Sequence, residues 1–451
     1  MDMFIMRKVN VWHLLFVLLF SILVSPAFSQ AEPEVLTLER AMELALQNNI
    51  DLKRAQNNVI AAVSNKRQAV MNFLPNLNGS IGYTVSNGTN FDNNSGQFVT
   101  TTFEQSSPTL SSNMNLFSAF YNHHLLHRRE NELESSVYAL RYSELIVRAN
   151  VLLRFLNVSL DRENIKNSER RLELLQSQLE REEKRESVGV ASLENVYNFR
   201  SQVANQKLTL VGLENQYKSD FLALIQTLQL NDPENYVLQD IEVQVSAEDT
   251  QVEPFQQVMA EVLENSYNVK SSFYTMQAAK NALKVSRTSY YPSVGIGAGI
   301  GTRYSTNNDG ELFSQYKTFT NNYYGFQISV PIFNNFLVKN QVAQAKVGMF
   351  NAELNYKQAI LDITNRIQRD YLDLVSSITS YESALENFEA QEQTFNFVQT
   401  RFDTGATDFY TYLESLNNKN NAEITLINAK YSIAFRNKIL DLFRGMSSTT
   451  E

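Results

Sequence analysis

The stretch SVGIGAGIGTRY, residues 293–304, places a glycine at every second position and an apolar side chain between each pair. The glycines are Gly295, Gly297, Gly299 and Gly301, and the residues between and before them are Val294, Ile296, Ala298 and Ile300. A period of two puts these two sets on opposite faces of a β-strand. The stretch therefore predicts a strand with one apolar face and one bare face.

Three further segments show the same alternation: residues 77–86, 107–117 and 323–333. In the last, Tyr324, Phe326, Ile328, Val330 and Ile332 alternate with Gly325, Gln327, Ser329 and Pro331. In the first two, the apolar face is predicted to carry Ile81, Tyr83, Val85, Leu110, Ser112, Met114 and Leu116, opposite Ser80, Gly82, Thr84, Ser111, Asn113 and Asn115. Strands of about ten residues with one apolar and one polar face are typical of transmembrane barrels. We therefore expect the apolar residues of segment 293–304 to face lipid and Gly295, Gly297, Gly299 and Gly301 to face the lumen.

The predicted strands, residues 77–86, 107–117, 293–302 and 323–333, contain no Asp, Glu, Lys or Arg. A charged side chain facing lipid at the bilayer midplane would cost about 2–4 kcal/mol, which accounts for the absence. The polar, Asn-rich segments 86–107 and 305–322 are predicted to be long extracellular loops, where a change at Asn307 should be silent. Tyr and Phe residues cluster at the strand ends, which favours an aromatic girdle over ordinary core packing.

The first 29 residues are predicted to be a signal peptide. Arg7 and Lys8 precede an apolar run, residues 11–24, and the small residues Ala27 and Ser29 fit a cleavage site. The run is shorter than the ~20 apolar residues of a membrane anchor. The chain has no cysteine, which excludes disulfides, thiolate metal sites and a lipidated N-terminal cysteine. With 48 acidic against 39 basic residues, it is not expected to bind nucleic acid.

An internal repeat covers most of the remaining chain. At an offset of 217 residues, Leu46 matches Leu263, Lys53 matches Lys270 and Pro75 matches Pro292; at 216, Arg185 matches Arg401 and Gly189 matches Gly405. Agreement of separate anchors indicates a tandem duplication. We expect a first repeat at residues 30–230, a linker at 231–254, a second repeat at 255–446 and a tail at 447–451.

Long helices are predicted outside the strands. Residues 109–232 and 332–451 contain no proline, and a helix over residues 336–400 would be about 97 Å long. The heptad positions of that helix are Tyr371, Leu374, Ile378, Tyr381, Leu385, Phe388, Phe395 and Phe402. This spacing indicates a coiled-coil seam, and periodicity alone leaves a soluble coiled-coil rod open.

Four strands cannot close a barrel, because even small barrels use about eight. An open sheet would also leave edges that lipid cannot satisfy. We therefore expect the chain to oligomerise in an outer membrane. A general diffusion porin and a secreted coiled-coil scaffold remain as alternatives. A porin would not explain the helices of about 100 Å, and a secreted scaffold would not explain the charge-free strands.

Several features together make the chain resemble the TolC-like outer-membrane efflux family (the outer membrane factors). They are the signal peptide, the duplicated helix–strand–strand–helix unit, the pattern Pro331-x-Phe333, and the RxxxG turns at Arg185 and Arg401. The resemblance implies an α+β membrane protein: a homotrimeric, 12-stranded transmembrane β-barrel continued by a long periplasmic α-helical barrel. It implies a passive exit duct of a tripartite efflux or type I secretion system. The implied partners are outer-membrane lipid, a periplasmic adaptor (membrane fusion protein) and an inner-membrane pump of the RND or ABC type.

The resemblance also implies two kinds of site residue. The periplasmic tip, where adaptors dock, corresponds to the turns with Arg185, Gly189, Arg401, Phe402 and Gly405. The family's aperture is closed partly by acidic residues three apart, which correspond here to Thr411 and Glu414. Since only Glu414 is acidic, we expect a single ring of three Glu414 side chains, helped by Asp403 or Asp408.

Enzymatic chemistry finds little support. The glycine-rich stretch does not satisfy GxGxxG, and no GxxxxGK[ST] motif occurs. His123 and His127 stand four apart, a spacing that could hold a metal, yet there is no HExxH motif. Beside Arg128 and Arg129 we favour a solvated cluster, and expect neither a metal, nor a cofactor, nor a catalytic site.

Overall fold

The structure, a computed structural model, describes residues 33–92 and 95–445. The predicted signal peptide and the predicted tail at 447–451 lie outside the described residues. In chain order the elements are β1 (Glu34–Leu36), α1 (Leu38–Asn48), α2 (Ile50–Met71), β2 (Asn78–Asp92), β3 (Gln97–Phe117), α3 (Tyr121–Ser187), α4 (Leu193–Thr227), β4 (Tyr236–Leu238), α5 (Phe255–Asn265), α6 (Tyr267–Thr288), β5 (Ser293–Gly301), β6 (Tyr304–Ser305), α7 (Leu312–Thr318), β7 (Asn321–Ser329), α8 (Leu337–Asp403) and α9 (Phe409–Arg444).

The helices occur as two series of nearly equal lengths. Helices α3 and α8 each have 67 residues and are about 100 Å long. Helices α4 and α9 have 35 and 36 residues, α1 and α5 have 11 each, and α2 and α6 have 22 each. The long helix predicted over residues 336–400 is thus confirmed as α8.

The core runs along the seams between the long helices. The predicted heptad residues Leu374, Ile378 and Phe395 are buried, as is Phe402. Two clusters surround the short helices: α1 packs with β1, β4, α3 and α4, while α5 packs with α3, α8 and α9. Each short helix therefore fastens one end of a long helical hairpin. No helix within the described residues combines the length and hydrophobicity needed to cross a bilayer.

Five of the described strands form one antiparallel sheet in the order β2-β3-β5-β7, with β6 pairing β3. Gly297 lies opposite Asn113 on one side and Gly325 on the other, whereas Ile296 lies opposite Met114 and Phe326. Directly opposed residues share a face, so the predicted division into an apolar and a polar face is confirmed in β3, β5 and β7. In the described part of the chain, β2 and β7 are each paired on one side only.

The predicted loop 86–107 is wrong, because most of it is strand. β2 continues to Asp92 and β3 begins at Gln97, and the hydroxyls of Thr89 and Thr100 hydrogen bond across the pair at 2.8 Å. Threonine favours strands through its β-branch, so a polar composition concealed a hairpin. The predicted loop 305–322 likewise contains α7 and the start of β7.

Two strand ends also differ from the prediction. The segment 323–333 stops being a strand after Ser329, because Pro331 has no backbone N–H to donate. In β3, an irregularity after Asn115 makes Phe117, rather than Leu116, the register partner of Val294. The predicted alternation therefore breaks at this bulge.

Asn307 is not the silent loop position that the sequence predicts. Its side-chain amide donates to the Phe91 carbonyl at 2.7 Å, and its backbone N–H donates to Ser305 Oγ at 3.2 Å. These bonds tie the segment after β6 to the end of β2. A substitution at this position would break a link between the two halves of the sheet.

The segment 231–254 contains one strand, which sequence reasoning missed. β4 pairs in parallel with β1, and the Leu238 carbonyl accepts a hydrogen bond from Arg162 Nη1 at 2.8 Å. Lys166 pairs with Asp240 at 2.7 Å, and Tyr431 donates to the Ile241 carbonyl. The segment thus crosses α3 and α9 and is fastened to both.

Candidate functional site

The apolar face of the sheet is exposed in the chain. Tyr324 is 92% exposed, Ile81 78% and Phe326 76%. Side chains of this size at this exposure, on a contiguous strand face, indicate contact with something other than water. Lipid fits, since this face carries no charge along β5 and β7.

Aromatic residues mark the two places where the sheet passes into a long helix. The rings of Phe117 and Phe120 lie 6.2 Å apart before α3, and those of Phe333 and Phe336 lie 6.2 Å apart before α8. All four are exposed, as expected of a girdle and not of core residues. Phe120 and Phe336 both have positive φ, at 62° and 57°, a left-handed conformation that costs a bulky residue free energy. The same strained entry is therefore used twice.

The glycines of β5 make room for particular neighbours. A Cβ added at Gly299 would lie 2.7 Å from the Tyr323 ring, and one added at Gly297 would lie 2.7 Å from Asn113 Oδ1. At Gly325, on the same face, an added Cβ meets no atom within 4 Å. The bare face is thus required by packing at the first two positions and not at the third.

The two turns at the far end of the long helices have the same backbone. Gly189 and Gly405 adopt φ values of +79° and +77°, which glycine accepts without a Cβ clash. The Arg185 carbonyl accepts from the Val190 N–H at 2.8 Å, and the Arg401 carbonyl accepts from the Ala406 N–H at 2.7 Å. These bonds end each helix in a left-handed C-cap.

The arginine side chains at these turns are also held. Arg185 pairs with the buried carboxylate of Glu182 at 2.9 Å. Arg401 Nη2 donates to the Ala406 carbonyl at 3.3 Å. The Arg401 side chain therefore braces its own turn, whereas the Arg185 side chain is held by a residue of its own helix.

An aromatic cluster fills the interior behind the turns. The ring of Phe402 stacks on Tyr412 at 4.7 Å and meets Phe199 edge-on at 6.0 Å, while Phe199 and Phe409 lie 4.8 Å apart. Phe402 is only 4% exposed, and Tyr412 is fully buried. Burial raises the pKa of the Tyr412 hydroxyl. Phe402, predicted from the resemblance as a docking residue, lies inside this cluster and not on the surface.

Exposed apolar residues around Gly189 were missed by sequence reasoning. Val188 is 71% exposed, Val190 67% and Leu193 55%. The sequence feature that could have predicted them is the pair of valines on either side of Gly189 in the segment SVGVAS. The second turn has Thr404 and Ala406 in the positions of Val188 and Val190, and the buried Phe409 in the position of Leu193, so it exposes less apolar area than the first turn.

Two of the four predicted gate residues are engaged in a helix cap. Asp408 Oδ1 accepts from the Thr411 backbone N–H at 2.9 Å, and Asp408 Oδ2 accepts from the Thr411 hydroxyl at 2.8 Å. These bonds, the backbone one foremost, lower the pKa of Asp408 below its usual 3.8. Asp403 faces Arg181 at 3.7 Å. Each of these groups has a structural partner.

Glu414 differs from the other three. It is exposed, and among residues 33–92 and 95–445 its carboxylate makes neither a hydrogen bond nor an ion pair. It belongs to an exposed polar stripe of α9, which consists of Thr411, Glu414, Asn418, Asn421, Thr425 and Asn428. Spacings of three and four put these residues on one face of the helix, and Glu414 is its one charged member.

A second carboxylate of interest lies between α3 and α4. Burial, and then the neighbouring carboxyl of Asp220, raise the pKa of Asp161 to about 7. Two carboxyl groups that share one site do not both ionise readily. Asp161 therefore titrates near neutral pH, although it lies far along the chain from the tip residues.

Comparison with known proteins yields one matching family. The family model of outer membrane efflux proteins matches residues 41–228 and 258–441. Outer membrane protein TolC of Escherichia coli is 21% identical over 416 residues, 90% of this chain and 80% of that protein.

A further relative is aligned over less of its length, and a solved structure over nearly all of its length. Toxin and drug export protein A of Aggregatibacter actinomycetemcomitans is 21% identical over 179 residues, 39% of this chain and 37% of that protein. Among solved structures, the outer membrane protein VceC of Vibrio cholerae superposes with a TM-score of 0.75 at 16% identity, covering 90% of this chain and 96% of that one. At this identity the superposition shows the fold alone, and it agrees with the α+β architecture expected from the sequence.

Proposed function

This chain belongs to the outer membrane efflux protein family, and on this premise we propose that it is the outer-membrane exit duct of a tripartite efflux or type I secretion system. Substrates would reach it from an inner-membrane pump of the RND or ABC type through a periplasmic adaptor. The family consists of channel-forming proteins, not enzymes.

One observation supports the duct most directly. A four-stranded sheet with an exposed apolar face is continuous with helices about 100 Å long, and its outer strands each pair on one side only within the described residues. Lipid cannot satisfy the open edges, so copies must complete the barrel. Three copies would supply 12 strands, three times the four of this sheet. The helices would then continue the bore into the periplasm.

We place the gate at Glu414. In a trimer the polar stripe of α9 would face the bore, and three Glu414 carboxylates would form its one ring of charge. Such a ring attracts cations and repels anions. Thr411, one turn earlier, has its hydroxyl occupied by Asp408, so it should contribute little.

Planar-bilayer recordings test this placement. Glu414→Gln should lower the preference for cations over anions, while Thr411→Val, the matched control, should leave it close to that of the wild type. Equal selectivity in the Glu414→Gln channel and the wild type would remove Glu414 from the gate.

The adaptor contact can be tested separately at the first turn. Val190→Ser removes exposed apolar area beside Gly189, whereas Ala406→Ser alters the equivalent position of the second turn. If the adaptor docks on the exposed apolar patch, Val190→Ser should abolish efflux by cells while single-channel conductance persists, and Ala406→Ser should not. Normal efflux by the Val190→Ser variant would contradict docking there.

A further inference from the structure

A pair of histidines faces each other at the start of α3, directly after the sheet. His123 and His127 are one helical turn apart, and both side chains are exposed. We propose that they form a binding site for one late first-row divalent transition ion, with Cu²⁺ held most tightly. The site is independent of the exit-duct function proposed above.

The distance between the two rings suits a shared ion. His123 Nε2 and His127 Nε2 lie 3.1 Å apart, and the ring planes are at 86° to each other. An ion bound at about 2.1 Å from each nitrogen would subtend an angle of about 95° at that separation. This is close to the right angle between adjacent ligands in square-planar and octahedral complexes. Both nitrogens could therefore bind the ion without rearrangement of the helix.

The protonation of His127 is set by a neighbour. His127 Nδ1 lies 3.0 Å from Glu130 Oε2, and Lys66 of α2 approaches the other oxygen of that carboxylate at 3.7 Å. A carboxylate accepts only, so Nδ1 carries the proton and donates it. In the neutral ring, the Nε2 lone pair then accepts a hydrogen bond from the Nε2–H of His123, and His123 takes its Nδ1–H tautomer when both Nε2 atoms bind an ion. Carboxylates orient metal-binding histidines in this way in many proteins.

The third histidine of the segment has a different environment. His124 is partly buried, and its ring centroid lies 6.2 Å from that of His123. Burial, and then the positive charge of Lys284, lower the pKa of His124. It does not share the facing arrangement of its neighbours. His124 therefore provides a matched control within five residues.

The donor set defines the class of ion. No group of three or more His, Cys, Asp or Glu side chains in the described part of the chain is arranged around a metal. Two imidazole nitrogens with water in the other positions suit Cu²⁺, Ni²⁺ and Zn²⁺, whereas Ca²⁺ and Mg²⁺ require oxygen ligands. By the usual order of stability, Cu²⁺ should bind more tightly than Ni²⁺ or Zn²⁺. The sequence alone favoured a solvated cluster here, because it does not show that the two imidazole rings face each other.

The test uses full-length protein without a polyhistidine tag, purified in detergent and titrated with Cu²⁺ by calorimetry and electron paramagnetic resonance. We expect one ion per chain and a spectrum with two coupled nitrogens. His123→Ala and His127→Ala should each lose this binding, and His124→Ala should retain it. Glu130→Gln should weaken the affinity about 10- to 100-fold, because the orienting carboxylate is lost. Circular dichroism checks that each variant is folded.

Two results would overturn the proposal. One is a wild-type protein that binds less than one Cu²⁺ per chain at saturation. The other is a folded His123→Ala/His127→Ala double variant that binds Cu²⁺ as tightly as the wild type, since the ion would then lie elsewhere. Mg²⁺ serves as the probe that should not bind in any variant.

Discussion

Replacing Phe402 with alanine should loosen the tip of the helical hairpins without unfolding the rest of the chain. The ring is 4% exposed, stacks on Tyr412 at 4.7 Å and meets Phe199 at 6.0 Å. Removing a buried phenylalanine from such a cluster costs about 3–5 kcal/mol. Because the cluster holds only this end of the helices, the loss should lower the free energy of local opening.

Hydrogen exchange measured by mass spectrometry reads this free energy directly. A loss of 3–5 kcal/mol corresponds to about 10²- to 10⁴-fold faster exchange of amides that open locally. The effect should appear in peptides covering residues 395–416 and be absent from residues 363–378, which belong to another core cluster.

The control is Phe397→Ala on the same helix. Phe397 is 72% exposed in the chain and has no place in the tip cluster. Removing the Phe397 ring should leave hydrogen exchange at the tip unchanged. If Phe397 contacts a second copy of the chain, the loss would change the mass of the oligomer and not the exchange at the tip. If both variants exchange at the same rate as the wild type, the tip is not held by its aromatic cluster.

Three other substitutions address separate features. Asp161→Asn should remove a pH dependence of stability. The raised pKa of Asp161 stabilises the folded protein at low pH, and this stabilisation is lost as the pH rises from about 4 to 7. The melting temperature of the wild type should therefore rise when the pH is lowered from 7 to 4, and that of the variant should not. Asp408→Ala should destabilise the protein by removing an N-cap. Because the lowered pKa stabilises the fold only while the carboxylate is charged, the difference from the wild type should shrink as the pH falls below 3.8; chemical denaturation at pH 7 and pH 3 checks this. Gly299→Ala should lower the free energy of unfolding by about 1 kcal/mol because it displaces Tyr323, whereas Gly325→Ala should leave it nearly unchanged. Equal melting temperatures for the two variants would refute the packing role of Gly299.

The long elements of this fold could be predicted because their signals are long. The heptad through Leu374, Ile378 and Phe395 persists over several turns, and the alternation from Val294 to Ile300 fixes a strand and its faces. A repeat at a constant offset then doubles each observation. Periodicity over such lengths has few other physical explanations.

Short or exceptional features escaped for the opposite reason. β1 and β4 have three residues each, too few for a period. The hairpin of β2 and β3 contains polar residues on both faces beyond Ser86, so composition suggested a loop where cross-strand threonine bonds make a strand. The end of β7 at Ser329 could have been predicted from the sequence, because Pro331 has no backbone N–H to continue the strand pairing.

The candidate sites divide along a similar line. The family resemblance pointed to Asp408, Thr411 and Glu414, but not to the cap that occupies the first two and leaves Glu414 without a side-chain partner in the described part of the chain. Burial of Phe402 and exposure of Val190 depend on how α4 packs against α8 and α9, which no local pattern reports. Those contacts are long-range, and only the folded chain supplies them.

Native mass spectrometry of the protein extracted from membranes tests the proposed duct most directly. An open four-stranded sheet with an exposed apolar face requires a detergent-soluble particle of three chains, which completes 12 strands. A particle that is recovered in aqueous buffer without detergent, or that contains one or two chains after extraction, would contradict the trimeric barrel.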